Sequence, residues 1–137
     1  MILYLDTSSL LKLYVEERGT NEVQEKSERS DVVASSVIAY PEAHAAPGRR
    51  HREGALSKTE LKTILEQFQE AWIDFLTIFL STPIYLRAGT LALKYGLRGM
   101  DAIHLASCAE LLKDGDRIEF LSHDQNLMKA AAKEFKR

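Results

Sequence analysis

The feature that most constrains the fold is a run of four apolar residues, Ile2-Leu3-Tyr4-Leu5, that ends abruptly on Asp6. A strand with one wet face alternates apolar and polar residues. A strand without that alternation is covered on both faces, as parallel strands inside an α/β sheet are. Thr7, Ser8 and Ser9 follow, with hydroxyls suited to capping a helix that continues through Leu10, Leu11, Leu13 and Tyr14. In open sheets of this kind ligands bind beyond the carboxyl ends of the strands, and Asp6 stands at such an end.

The same strand-to-helix step recurs along the chain. Thr20 is positioned to cap a charged, solvated helix reaching about Arg29, and Asp31 to Ser36 is a second β-prone run around Val32 and Val33. A helix starting near Val37 would place Glu42 one to two turns inside it. Pro47-Gly48 is expected to end or bend that helix, because proline lacks the amide and clashes with the carbonyl four residues back. Ser57 and Glu60 form a capping box, and Leu61, Ile64, Leu65, Phe68, Trp72 and Phe75 mark one face of a long helix, serving as core or as an oligomer interface. Thr77 to Leu80 is a third candidate strand. Pro83 suits the first turn of the next helix and Gly96 its C-cap. Gly99-Met100-Asp101 leads into Ala102, Ile103, Leu105, Ala106, Ala109 and Leu112, a helix apolar over so wide an arc that it belongs at the centre. Ile118 to Leu121 is the last strand; Ser122-His123-Asp124 ends it and a final helix follows. The pattern predicts one α/β domain over residues 1–137, with three layers and a central parallel sheet flanked by helices.

A net charge of −2 gives no global signature of a nucleic-acid binder, so any basic surface is local; Arg49-Arg50-His51-Arg52 is the most basic stretch. The single cysteine, Cys108, excludes an intramolecular disulfide and reads as a small core residue. No apolar run approaches the ~20 residues of a membrane span and no secretory leader opens the chain, so the expected location is the cytoplasm, without a membrane partner.

Asp6 and Asp124 fall at the carboxyl ends of predicted strands, and Glu42 and Asp101 lie early in helices. If the strands are parallel, all four acids converge on one edge. Clustered carboxylates repel one another and call for a counter-charge, and hard divalent ions with oxygen ligands, Mg²⁺ or Mn²⁺, are the natural partners. Such an ion activates water and neutralises charge on a phosphate in an in-line displacement, which points to phosphodiester hydrolysis.

Four stretches, LDTSSLLKLYV, SSVIAYPEAHAA, LRGMDAIHLAS and FLSHDQNLMKAA, resemble the four signature blocks of PIN-domain ribonucleases, in particular the VapC-like toxins of toxin–antitoxin pairs. The resemblance runs from residue 3 to about 132 and implies a PIN-like fold and a Mg²⁺- or Mn²⁺-dependent endoribonuclease. It also implies Asp6, Glu42, Asp101 and Asp124 as metal-binding and catalytic acids, with Ser122 supporting them through a hydrogen bond. RNA as substrate, a cognate antitoxin as partner and a homodimer as assembly belong to the same implication. Some members carry a further acid two places after the last one; this chain has Asn126 there.

Each acid also has a plainer use. Asp6 and Asp124 suit helix caps, Asp101 suits a helix dipole, and Glu42 suits a solvated helix charge. Their joint placement is what favours a metal site. Arg49 and Arg50 divide evenly between a solvated surface and a phosphate-contacting rim. His44, His51, His104 and His123 would serve a metal-free ribonuclease, but His104 sits on an apolar helix where a structural hydrogen bond is commoner. The rival functions are a catalytically silent PIN-like interaction module and a metal-dependent phosphatase. The phosphatase would need a second Asp at the position of Ser8.

Overall fold

Strand β1 (Ile2–Leu5) lies inside a four-stranded, all-parallel sheet of order β3-β2-β1-β4, with β2 (Val32–Ser36) on one side of it and β4 (Ile118–Leu121) on the other. Strand β3 (Leu76–Ile78) adds to the far side of β2. The computed structural model describes residues 1–136. Seven helices complete it: α1 (Thr7–Leu11), α2 (Thr20–Arg29), α3 (Ala39–Arg52), α4 (Lys58–Trp72), α5 (Thr82–Tyr95), α6 (Gly99–Leu112) and α7 (Gln125–Glu134).

The unbroken apolar character of β1 is explained by what covers it. Leu3 and Leu5, with Val33 and Leu121, pack against Leu10, Leu11, Val23, Ala43 and Phe68 from α1 to α4. Tyr4, with Ala34 and Phe120, faces the opposite layer, where Ile84, Ala88 and Leu91 of α5, Ala102 and Leu105 of α6 and Leu127 of α7 close over it. Two cores on two faces of one sheet make three layers, and each fully buried large apolar side chain in them contributes about 1.5–3 kcal/mol. The wide apolar arc of α6 has the expected result: eight of its residues are buried, including Cys108. The capping box of Ser57 and Glu60, Pro83 in the first turn of α5 and the left-handed Gly96 at its end are all present. Among the described residues no helix is long and apolar enough to cross a membrane.

Several local expectations are corrected. Pro47 does not end α3, which runs on to Arg52. Ala39, Ala43 and Pro47 form its buried stripe at four-residue spacing, so the proline ring is packed in the core and that burial offsets the ~3 kcal/mol a helix-interior proline costs. Helix α3 starts at Ala39 rather than near Val37, which puts Glu42 in its first turn. Helix α1 is capped by Asp6 rather than by a hydroxyl and stops at Leu11, short of Leu13 and Tyr14. Gly19, not Thr20, is the N-cap of α2; the Thr20 hydroxyl is buried and donates to the Val15 carbonyl. Helix α4 ends at Trp72, so Phe75 joins the aromatic cluster from the following turn. Strand β3 covers Leu76–Ile78, leaving Phe79 and Leu80 exposed beyond it.

Candidate active site

Because the sheet is parallel, the residues after β1 and β4 emerge side by side. Asp6 is 3% exposed, and both its oxygens are directed by hydrogen bonds. Oδ1 accepts the Ser9 amide at 3.1 Å as the N-cap of α1, and Oδ2 accepts the Ser122 hydroxyl at 2.6 Å. The same Ser122 oxygen accepts the Asp124 amide at 3.0 Å, so one buried hydroxyl fixes the Asp6 carboxylate to the backbone that carries Asp124.

Glu42 faces this pair from α3. Its Oε1 accepts the Thr7 hydroxyl at 2.5 Å, and the His104 Nε2 lies 3.0 Å from the Thr7 oxygen. On the other side of the ring, Nδ1 is 2.9 Å from the Tyr4 hydroxyl. With the imidazole proton on Nε2, donors and acceptors run in one direction. Tyr4 donates to Nδ1, Nε2 donates to Thr7, and Thr7 donates to Glu42. His104 is 3.6 Å from Glu42 itself, an electrostatic contact rather than a hydrogen bond. The His104 ring first, then the Thr7 hydroxyl, hold the Glu42 carboxyl below the ordinary carboxylate range against the opposing effect of burial.

Asp101 occupies the first turn of α6 and Asp124 is the N-cap of α7, where its Oδ1 accepts the Leu127 amide at 3.0 Å. Arg98 spans the two. Its Nε is 3.2 Å from Asp101 Oδ2 and its Nη2 is 3.5 Å from Asp124 Oδ2. The Asp101 carboxyl is raised above the ordinary range, chiefly by burial and also by the negative charges of Asp124 and Asp6, with Arg98 acting against them. Asp6, Asp101 and Asp124 are therefore within electrostatic reach of one another.

A cleft of about 730 Å³ opens over this edge, lined by Asp6, Glu42, Asp101, His104, Arg49 and Arg50 among others. The continuity of α3 through Pro47 is what brings the two arginines there. Glu42, Ala45, Ala46, Arg49 and Arg50 recur at the spacing of one helix face, and all five line the cleft. Arg50 Nη2 is 3.3 Å from Glu17 Oε2, and Arg49 is exposed.

Three of the four acids singled out in the sequence thus line one cleft, and Asp124 joins them through Ser122 and Arg98. Their chemistry fits a hard divalent ion, since every donor is a carboxylate oxygen. The spacing is looser than a closed site: among the described residues, no three acidic, histidine or cysteine side chains stand close enough together to hold an ion as they are arranged. Asp6, Glu42 and Asp101 are the residues that would close on it. Sequence reasoning missed Thr7, His104 and Arg98. Thr7 was read only as a cap and His104 as a structural core residue. The available signal was position: His104 and Arg98 each lie three residues from Asp101, which on a helix and its cap means the same side. The remaining histidines serve locally: His44 contacts the Tyr40 carbonyl, His51 contacts the Leu56 carbonyl, and His123 links Ser9 to Glu22.

The PIN domain family model matches residues 3–133. Two curated relatives from Mycobacterium tuberculosis, Ribonuclease VapC45 of strain CDC 1551 / Oshkosh and Ribonuclease VapC49 of strain ATCC 25618 / H37Rv, are each 33% identical over 106 residues, which span 77% of this chain and 74% of theirs. Among solved structures, a toxin–antitoxin complex from Klebsiella pneumoniae superposes with a TM-score of 0.64 at 24% identity, over 89% of this chain and 86% of that one. FitAcB from Neisseria gonorrhoeae gives 0.65 at 17% identity, over 96% and 93%. At those identities the two structures speak for the fold.

Proposed function

Because the chain belongs to the PIN domain family, we propose that it is a Mg²⁺- or Mn²⁺-dependent endoribonuclease and the toxin of a toxin–antitoxin pair, with Asp6, Glu42, Asp101 and Asp124 as its metal-binding and catalytic acids. The observation that carries this is the meeting of Asp6, Glu42 and Asp101 in one cleft that also receives Arg49 and Arg50. The names of the two ribonuclease relatives supply the substrate class, and the toxin–antitoxin complex among the structural neighbours supplies the kind of partner.

When bound, a divalent ion supplies a Lewis acid and lowers the pKa of a water molecule for attack on phosphorus. The chain's own residues do the rest. Asp6 is directed by the Ser9 amide and the Ser122 hydroxyl, so a ligand oxygen is in place before an ion arrives. Thr7 and His104 orient Glu42 and favour its ionised form, and among the described residues its Oε2 is an acceptor without a hydrogen-bond partner. Arg49 and Arg50 offer cationic contacts to the phosphates on either side of the scissile one, the contacts that supply most sequence-independent affinity. A partner antitoxin would silence this arrangement by placing a basic side chain among the acids, arginine being best suited to two carboxylates at once. The protein would work as a homodimer in the cytoplasm; Leu86 and Leu93, two turns apart on α5 and 61% and 90% exposed, offer an apolar face for that pairing.

The test is cleavage of a pool of structured RNAs with Mg²⁺, Mn²⁺ or excess EDTA, followed by end mapping. Metal-dependent products bearing 5′-phosphates are expected, because a water attacks phosphorus and the 2′-hydroxyl takes no part. Full activity in EDTA, or 2′,3′-cyclic phosphate ends, would replace this mechanism with a histidine-based one.

A further inference from the structure

Arg98 is in an unusual place for a cation. It is the N-cap residue of α6, with no side-chain capping bond to the helix backbone, at the end where the helix dipole favours negative charge. Its side chain is 82% exposed, yet it turns back over the cleft to contact Asp101 and Asp124 together. The i,i+3 pair with Asp101 is local to the helix, whereas the reach to Asp124 is not, and the two acids together account for it. Among the described residues, Arg98 is the cation in ion-pair contact with Asp101 and Asp124; Arg49 also lines the cleft, but no ion pair joins it to either acid. Lys12 and Arg50 both pair with Glu17.

The oxygens Arg98 holds, Asp101 Oδ2 and Asp124 Oδ2, belong to the acids a divalent ion would need. A guanidinium within hydrogen-bond reach and a divalent ion on the same carboxylates repel each other strongly at that separation. An exposed ion pair is weak, and a long arginine stem can move without disturbing the core. Arg98 is thus a displaceable occupant of the site.

We propose that Arg98 is the site's built-in counter-cation: it neutralises Asp101 and Asp124 in the metal-free protein, must leave them when a divalent ion binds, and so sets the metal concentration at which the site fills. This rests on the four acids being a metal site, as proposed above. The residue does not touch reacting atoms; it positions two acids and competes for them.

The experiment is a titration of the metal-free full-length chain with Mn²⁺, following the free-ion electron paramagnetic resonance signal. Wild type, Arg98→Gln, Arg98→Lys and Arg117→Gln are compared. Arg117 precedes β4 at the opposite end of the sheet, so its variant removes a charge of the same sign without touching the cleft. Arg98→Gln should bind Mn²⁺ about two- to fivefold more tightly than wild type, the range an exposed ion pair is worth. Arg98→Lys should fall between them, because lysine keeps the charge but not the fork that spans two carboxylates, and Arg117→Gln should match wild type. Equal or weaker binding by Arg98→Gln, or an equal gain in Arg117→Gln, overturns the proposal while leaving the metal site intact. A wild-type protein that takes up no Mn²⁺ removes the metal site itself, a separately recognisable failure.

Discussion

The cleft has two sides that hold their acids by different means. On the β1 and α3 side, Asp6 and Glu42 are gripped by hydroxyls, with the fully buried Ser9 and a 2%-exposed His104 supporting them. On the α6 and α7 side, Asp101 and Asp124 share one guanidinium that is 82% exposed. Exposure of the acids does not separate the two, since the Glu42 and Asp124 side chains are both 34% exposed. What separates them is whether the partner can move. Hydroxyls and an imidazole built into the core cannot leave without unfolding something, whereas a surface arginine can. One side is prepared for its ligand in advance, and the other is kept compatible with an empty site.

The largest effect that can break this comparison is on catalysis. Asp6→Asn should lower metal-dependent RNA cleavage by about a hundredfold or more, whereas Asp124→Asn should cost nearer tenfold, because Asp124 is tied up as a cap and reaches the site through Arg98 and Ser122. Equal losses measured as kcat/KM would mean that the two sides are equivalent. Next comes Ser122→Ala. It strips a 2.6 Å hydrogen bond from a buried carboxylate and the acceptor from the Asp124 amide. Activity should fall roughly 10- to 100-fold, and urea melts should show a loss of about 1–3 kcal/mol. Arg98→Ala at saturating metal should leave stability nearly unchanged, which sharpens the contrast between a fixed and a movable partner.

The smallest effects are on stability against pH, and they have opposite signs on the two sides. The folded value of Glu42 is depressed from 4.5, so its stabilising contribution is present above that value and is lost as the pH falls through the folded one. Glu42→Gln should therefore lower the Tm at neutral pH and flatten the acid limb of the Tm curve. The folded value of Asp101 is raised from 3.8, so its ionised form costs stability, and that cost sets in as the pH rises past 3.8 and is complete above the raised value. Asp101→Asn should raise the neutral-pH Tm in EDTA by about 1–3 °C, given that roughly 1 kcal/mol moves a domain of this size by a few degrees. A clear drop would make Asp101 a structural anchor.

Much of this was legible in the chain. A strand apolar on both faces fits a buried parallel one, parallelism puts the carboxyl ends of β1 and β4 on one edge, and the strand order sets them side by side with Asp6 and Asp124 following them. Ser122 came from the family resemblance, as the hydroxyl two residues before the last acid, and not from the strand pattern. Pro47 does not end α3 as local propensity allowed, because propensity says nothing about packing: the ring lies on the same stripe as Ala39 and Ala43, and the core covers it. Arg98 and His104 were missed for a different reason, their three-residue spacing from Asp101 being the one signal in the chain. One was a charge in a turn and the other a polar residue in an apolar helix, and only the tertiary placement of α6 over β1 puts them against Asp124, Thr7 and Glu42.

The most direct measurement is an anomalous difference map from crystals soaked in Mn²⁺. A single strong peak is expected in the cleft, about 2.1 Å from carboxylate oxygens of both Asp6 and Asp101, with the Arg98 guanidinium no longer bridging Asp101 and Asp124. A saturating soak that leaves the cleft empty, or an ion bound without Asp6, would contradict the assignment of these acids to one metal site.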